Sequence, residues 1–324
     1  MNIKDIKRAS FRHKNNKLRY YAVNYIRQYL PGALFRTLLP KKLACIHHTD
    51  AGYVYERVDY YNRLQALPLE ELKGALDIKT FKRKYKRNVY FFDTYEYLRY
   101  FPEGLQIAPL FGDITHVPDV PSITKSRPIS GNNENSVLLK LDKIRHFTFV
   151  NDKNRYEDKK NMLVGRSKAH RPHRVQFLEK YINHPLCDIG QVNRNQNPQF
   201  IRPRMTIEEH LKYKFILCLE GNDVASNLKW VMSSNSIAVM PKPQYETWFM
   251  EGTLVPNVHY ILIKDDFSDL AERLNYYITH TDEALQIIEN AHRYIAQFRD
   301  NEREDLIALL VLKKYFKQTK QTMV

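Results

Sequence analysis

Apolar and polar positions change their rhythm along this 324-residue chain. From Leu18 to Leu30 (LRYYAVNYIRQYL) apolar side chains recur near helical spacing with Arg on other faces, which predicts an amphipathic helix. From Asn88 the pattern shortens. NVYFFD, LQIAPLFGD and FTFV are apolar, aromatic or β-branched and bounded by turn residues, so they predict strands. Val117 to Asn135 holds Pro118, Pro121, Pro128 and Gly131, which excludes a long helix and predicts an ordered loop. Asn151 to Lys160 (NDKNRYEDKK) is charged and rich in breakers, and reads as a domain boundary.

Beyond it the spacing predicts a strand at Asn161–Val164, then a Gly-Arg turn. Lys214–Leu219 (KFILCL) is continuously apolar, as a strand covered on both faces would be, and Gly221 breaks it. A helix is predicted over Val224–Ser234, and strands at Ile237–Met240 and His259–Ile263. Helices follow at Phe267–Thr279, Asp282–Phe298 and Asn301–Phe316. Strand, turn, helix, strand in succession predicts right-handed βαβ units and a parallel sheet, hence an α/β, Rossmann-like second half.

Hydrophobic residues make up 43%, enough for a sizeable core, which excludes wholesale disorder. Lys and Arg number 51 against 36 Asp and Glu, a net charge of +15. Such a surface attracts phosphate, whether on a nucleotide, a nucleic acid or an anionic lipid. Three cysteines do not make a disulfide framework, and a reducing compartment is the simpler reading. No run approaches the roughly 20 apolar residues of a spanning helix. The basic start also lacks a secretory apolar core. A cytoplasmic protein is expected, soluble or at a membrane surface. The Leu18–Leu30 helix can lie in a membrane interface or pack on the domain as an ordinary surface helix.

The most informative stretch runs from Lys212 to Gly252. Gly221 ends a buried strand and precedes a helix, and ligands of such sheets bind beyond the carboxyl ends of the strands. A helix N-terminus there suits a phosphate. Asn222 or Asp223 is placed to cap it, Ser226 follows, and Lys229 is in reach of a phosphate or a carboxylate. Asp223 argues the other way, since a carboxylate repels a diphosphate. Neither GxGxxG nor GxxxxGK[ST] occurs, which disfavours nicotinamide and P-loop chemistry. His47, His48 and Asp50 lack a zinc spacing, and Pro172 between His170 and His173 prevents a helical metal pair.

The run LEGNDVASNLKWVMSSNSIAVMPKPQYETWF, followed by VPNVHYILIKDDFSDL, resembles glycosyltransferase family 90. That family holds capsule-associated proteins, protein O-glucosyltransferases and bacterial lipopolysaccharide core glycosyltransferases. VPSITKSRPI (Val120–Ile129) resembles its "PVF-x-K-x-R" segment, and MLVGRSKAHRPHR (Met162–Arg174) its "F-R-G-x-x-x-x-x-R" segment. The resemblance covers roughly residues 105–300.

The resemblance implies a GT-B-like α/β architecture, two Rossmann-like domains facing a cleft, with C-terminal helices. Its expected division is 1–155 as an acceptor-side domain with a basic N-terminal helix, 156–300 as the nucleotide-sugar domain, and 301–324 as a C-terminal helix packing back on the first. Asp113 matches the family's catalytic aspartate, with Asp119 and His116 as local rivals. Transfer with inversion needs such a base, and positive charge on the departing diphosphate. For the latter the candidates are Arg166, Arg171 and Arg174, with Lys125 and Arg127 on the facing loop, because guanidinium binds phosphate bidentately. Gly165 would let backbone approach closely. Glu246 would accept from ribose hydroxyls, and Tyr245 or Trp248 would flank the uracil. Asn227 stands where several members carry Arg.

The implied reaction moves glucose or galactose from a UDP-sugar donor to the inner-core heptose of a lipid-linked lipopolysaccharide core oligosaccharide. It would run at the inner face of the cytoplasmic membrane, an anionic surface, with no cofactor and no metal ligands. Two other readings are a basic nucleic-acid-binding module, in which the 22 Tyr stack on bases, and a non-catalytic glycan-binding protein. Spread-out Lys and Arg and the presence of Asp113 speak against them, so no nucleic-acid partner is expected.

Overall fold

The computed structural model describes residue 13 and residues 15–65, 72, 74–194 and 196–322. The basic start of the chain, residues 1–12 and 14, lies outside the described residues. Contacts divide the chain into two units, each assembled from separate stretches.

One unit is formed chiefly by Arg145–Pro243 and Thr253–Gln297. Its sheet has five parallel strands: β1 (Lys160–Ser167), β2 (Cys187–Gln191), β3 (Tyr213–Leu217), β4 (Ile237–Met240) and β5 (Ile261–Leu262). Their spatial order is β2-β1-β3-β4-β5. Side chains alternate across the sheet, so Leu163, Ile189, Phe215, Ile237, Val239 and Ile261 share one core. The Pro172–Tyr181, Leu270–Thr279 and Thr281–Ala296 helices close that core with Phe177, Leu274 and Ile287 among others. Pro172 suits the first helical turn, where its missing N–H is not needed. Ala284, Ile287, Ile288, Ala291 and Ile295 make the buried stripe of the Thr281–Ala296 helix, and Asp282 and Glu283 complement its N-terminal dipole.

The other unit comprises Asn16–Ile144, Gln244–Gly252 and the chain from Phe298 onward. It is mainly helical. The Asn301–Gln318 helix buries Leu306, Ile307, Leu309, Val311 and Leu312 and packs on the Ala51–Tyr61 helix. Its strands pair in three small sheets. Leu76–Asp77 runs antiparallel to Gln106–Ile107, and Ser126–Pro128 antiparallel to Tyr245–Thr247. Ser122–Thr124 lies parallel between Pro109–Leu110 and Ser136–Leu138. Where the resemblance implies a second Rossmann-like domain, the described strands here are only two or three residues long.

Four expectations change. NVYFFD is not a strand but opens the Val89–Leu98 helix, because the Asn88 side chain accepts from the Phe91 N–H as an N-cap. FTFV is irregular. The Pro-rich interval contains two short strands. The predicted Val224–Ser234 helix shrinks to Leu228–Met232, where Asn227 bonds the Leu217 carbonyl of the preceding strand and does not cap the helix with its side chain. Among the described residues no helix is long and apolar enough to cross a membrane.

Candidate functional site

In the parallel-sheet unit the strand order reverses between β1 and β3, and there the loops that follow the two strands part. That is where ligands of open α/β sheets bind. The loop after β1 leads through Lys168 and His170 to Arg171, the N-cap of the Pro172–Tyr181 helix. The loop after β3 turns at Gly221, whose N–H donates to the Asp223 carbonyl at 3.0 Å.

Arg174 ties the two loops together. It donates to the carbonyls of Leu219 at 2.7 Å, Glu220 at 2.8 Å and Lys168 at 3.0 Å. His173 Nε2 lies 2.9 Å from the Glu220 carbonyl. Arg171 Nη2 and Nε donate to Asn222 Oδ1 at 2.6 and 3.0 Å, and His170 Nε2 lies 3.2 Å from the same oxygen. Gly221 lies against the same guanidinium, where a Cβ would stand in ordinary contact, 3.4 Å from Arg174 Nη2. Burial, with Arg171 alongside, pushes the Arg174 guanidinium down to about 10, so it stays a cation near neutrality. Burial also lowers His173, and the neighbouring cations Arg174 and Arg171 lower it further.

Other expected donor residues lie elsewhere in this unit. Arg166 faces β2, with Nη2 2.5 Å from Asp188 Oδ1 and Nε 3.0 Å from the Pro203 carbonyl. It clamps two strands and does not join Arg171 and Arg174. At Gly165 a Cβ would come 3.1 Å from Leu217 Cβ, so this glycine serves strand packing. Ser226 is exposed, and Asn227, not Asn222 or Asp223, precedes the short helix; its Nδ2 donates to the Leu217 carbonyl at 2.9 Å. Lys229 is fully buried within electrostatic reach of Cys218 and does not face solvent. The positive helix end at this edge is therefore that of Pro172–Tyr181. Beside it, beyond β2, a cavity of about 670 Å³ is lined by Arg194, Arg202 and Arg204 with Asn193.

The other unit holds the acidic candidates. Asp113 lies half-buried on the loop after Pro109–Leu110, with Oδ1 2.5 Å from the ammonium of buried Lys125. Ser126 Oγ fastens the same loop, accepting from the Ile114 N–H at 3.1 Å and donating to the Ile114 carbonyl at 3.0 Å. His116 and Asp119 are exposed on that loop. Two residues after Lys125, Arg127 is fully buried. Its Nε donates to Glu246 Oε1 at 2.7 Å and its Nη2 to the Tyr60 carbonyl at 2.7 Å. The Tyr60 hydroxyl donates to Glu246 Oε2. Both oxygens of Glu246 are thus engaged inside the unit, and ribose hydroxyls would have to displace a buried cation. Trp248 is likewise internal: it stacks on Tyr61 with ring centroids 3.8 Å apart and donates to Glu304 at 2.6 Å.

A family model described as glycosyl transferase family 90 matches residues 146–322, more than half of the chain. The chain belongs to glycosyltransferase family 90. It is 46% identical over 264 residues to the O-glucosyltransferase LpsA of Dichelobacter nodosus, covering 81% of this chain and 82% of that one. Two viral proteins share shorter stretches. The uncharacterized protein 179R of Invertebrate iridescent virus 6 is 25% identical over 139 residues, 41% of this chain and 11% of that one. The uncharacterized protein 027R of Frog virus 3 is 30% identical over 107 residues, 32% of this chain and 11% of that one. This family 90 protein is a glycosyltransferase. Sequence reasoning missed two parts of its candidate donor site. The sequence offers His173 only as a metal-ligand candidate beside Pro172, and the Leu219 and Glu220 carbonyls carry no side-chain signal.

Proposed function

We propose that this glycosyltransferase moves glucose from UDP-glucose to a hydroxyl of the inner-core heptose of a lipid-linked lipopolysaccharide core, with inversion. The observation that carries the reading is the cationic edge where the loops after β1 and β3 part, with Arg171 at a helix N-terminus beside Gly221 and Asn222. It supports a diphosphate there by charge, since guanidinium binds phosphate oxygens bidentately. The name of the LpsA relative supports glucose over galactose. We read the parallel-sheet unit as the donor side of a GT-B architecture and the unit of Asp113 as the acceptor side.

In the proposed step Asp113 removes the proton from the acceptor hydroxyl as that oxygen attacks the anomeric carbon. The new C–O bond forms while the bond from that carbon to the diphosphate oxygen breaks, and UDP leaves carrying the electron pair. Arg171 balances the charge that builds on the departing phosphate. Lys125 positions the Asp113 carboxylate. No cofactor is needed, and the protein works against the inner face of the cytoplasmic membrane, where its lipid-linked acceptor sits.

Asp113→Asn tests this. It should cut turnover by about 10²–10⁴-fold. UDP should still raise the melting temperature of the variant as it does that of the wild type. Full turnover in the variant removes Asp113 from the chemistry. A product that retains the donor's anomeric configuration rules out inversion.

A further inference from the structure

We propose that the outward face of the Lys17–Tyr29 and Gly32–Ala44 helices seats the protein in the headgroup layer of an anionic bilayer. The proposal rests on the peripheral placement above and deepens it by naming the docking surface.

The Lys17–Tyr29 helix is inverted relative to an ordinary surface helix, which turns its apolar stripe toward the core. Its inner face is polar and aromatic. The Tyr20 hydroxyl donates to Asp93 at 2.6 Å, and Arg27 pairs with Glu96 at 2.7 Å. Gln28 accepts from Arg87 at 2.7 Å, Asn24 is buried, and Tyr21 meets Phe92 edge-on at 5.9 Å. The opposite face presents Leu18 at 81%, Ile26 at 63% and Tyr29 at 86% exposure. These three fall on one side at helical spacing. Leu34 and Leu38 on the next helix are also exposed.

An exposed apolar stripe of this kind marks an interaction site. Its charge selects the partner. The two helices carry Lys17, Arg19, Arg27, Arg36, Lys41 and Lys42 and no acidic residue at all. Arg27 and Arg36 face Glu96 and Glu103, which leaves Lys17, Arg19 and Lys41 exposed beside the apolar side chains. An apolar face on two helices that carry cations and no acidic residue fits a lipid surface with anionic headgroups. At 13 residues each, the helices are too short to span and suit lying in the plane. Tyr29 has the amphipathic ring that favours that layer.

The test is co-sedimentation with vesicles of phosphatidylcholine containing phosphatidylglycerol, using the full chain. The triple variant Leu18→Ser, Ile26→Ser, Tyr29→Ser should lower partitioning about tenfold or more. Lys17→Gln with Arg19→Gln should lower it less, and only at low salt. Melting temperature, and turnover on a delipidated water-soluble acceptor, should stay at wild-type values in the triple variant. Failure of vesicle binding and failure of the transferase reading are therefore read separately. Wild-type-like partitioning of the triple variant, or no partitioning of the wild type, overturns the proposal. So does a vesicle-free dimer that the triple variant abolishes, which would give the face to a second copy.

Discussion

In the parallel-sheet unit, Arg171 and Arg174 give their hydrogen bonds to neutral acceptors, the Asn222 amide oxygen and the carbonyls of Lys168, Leu219 and Glu220. In the other unit, Lys125, Arg127 and Arg57 each meet a carboxylate at 2.5, 2.7 and 2.8 Å. A neutral oxygen satisfies a donor without cancelling its charge, and the Glu220 carboxylate acts on Arg174 only through the field. The second set is neutralised in place, and burial makes each pair dependent on its partner. Residues of one type thus divide into those that bond neutral oxygens and those that meet carboxylates, and the division does not follow what flanks them in sequence.

The contrast can be broken most forcefully at Arg127. Arg127→Ala leaves Glu246 buried beside Tyr60 without its cation and should cost about 3–5 kcal/mol in denaturant unfolding. Stabilisation by UDP should persist in whatever fraction stays folded; if the variant is as stable as wild type, Arg127 is not architectural. A smaller effect comes from acid. Burial pushes the Glu96 carboxyl up, but Lys143 and Arg27 outweigh it and hold it at about 2, against an ordinary 4.5. A depressed carboxyl contributes stability that is whole above pH 4.5 and lost as pH falls toward 2. The shift corresponds to about 3 kcal/mol. Glu96→Gln should flatten the acid limb of the melting-temperature profile, and an unchanged limb would locate the acid sensitivity elsewhere. The gentlest test is Arg171→Ala. Removing one charge-assisted contact should weaken UDP binding about tenfold while leaving unfolding nearly unchanged. Calorimetry that finds UDP affinity intact would move the diphosphate away from this edge.

The parallel sheet was legible because its strands are buried on both faces and read as continuous apolar runs. KFILCL fell within two residues of Tyr213–Leu217, and Ile237–Met240 matched. Gly221 was legible as the strand's end, and Arg171 and Arg174 as cations beside it. The neighbouring unit was less so. Its strands of two or three residues are too short for a period-2 signal, and NVYFFD carries as many aromatics as a strand while the Asn88 cap makes it a helix. Glu246 could not be placed from sequence, because its partners Arg127 and Tyr60 lie 119 and 186 residues away. Short-range pattern reports which face is buried, not which distant charge lies across from it.

The Asn301–Gln318 helix fills the core of the unit that begins near Asn16, although the five-stranded sheet lies between the two in the chain. The unit that opens near Asn16 therefore cannot close until synthesis has passed Gln318. A stop codon shortly before Asp300 would spare every strand of the five-stranded sheet and still hollow out the unit that holds Asn16.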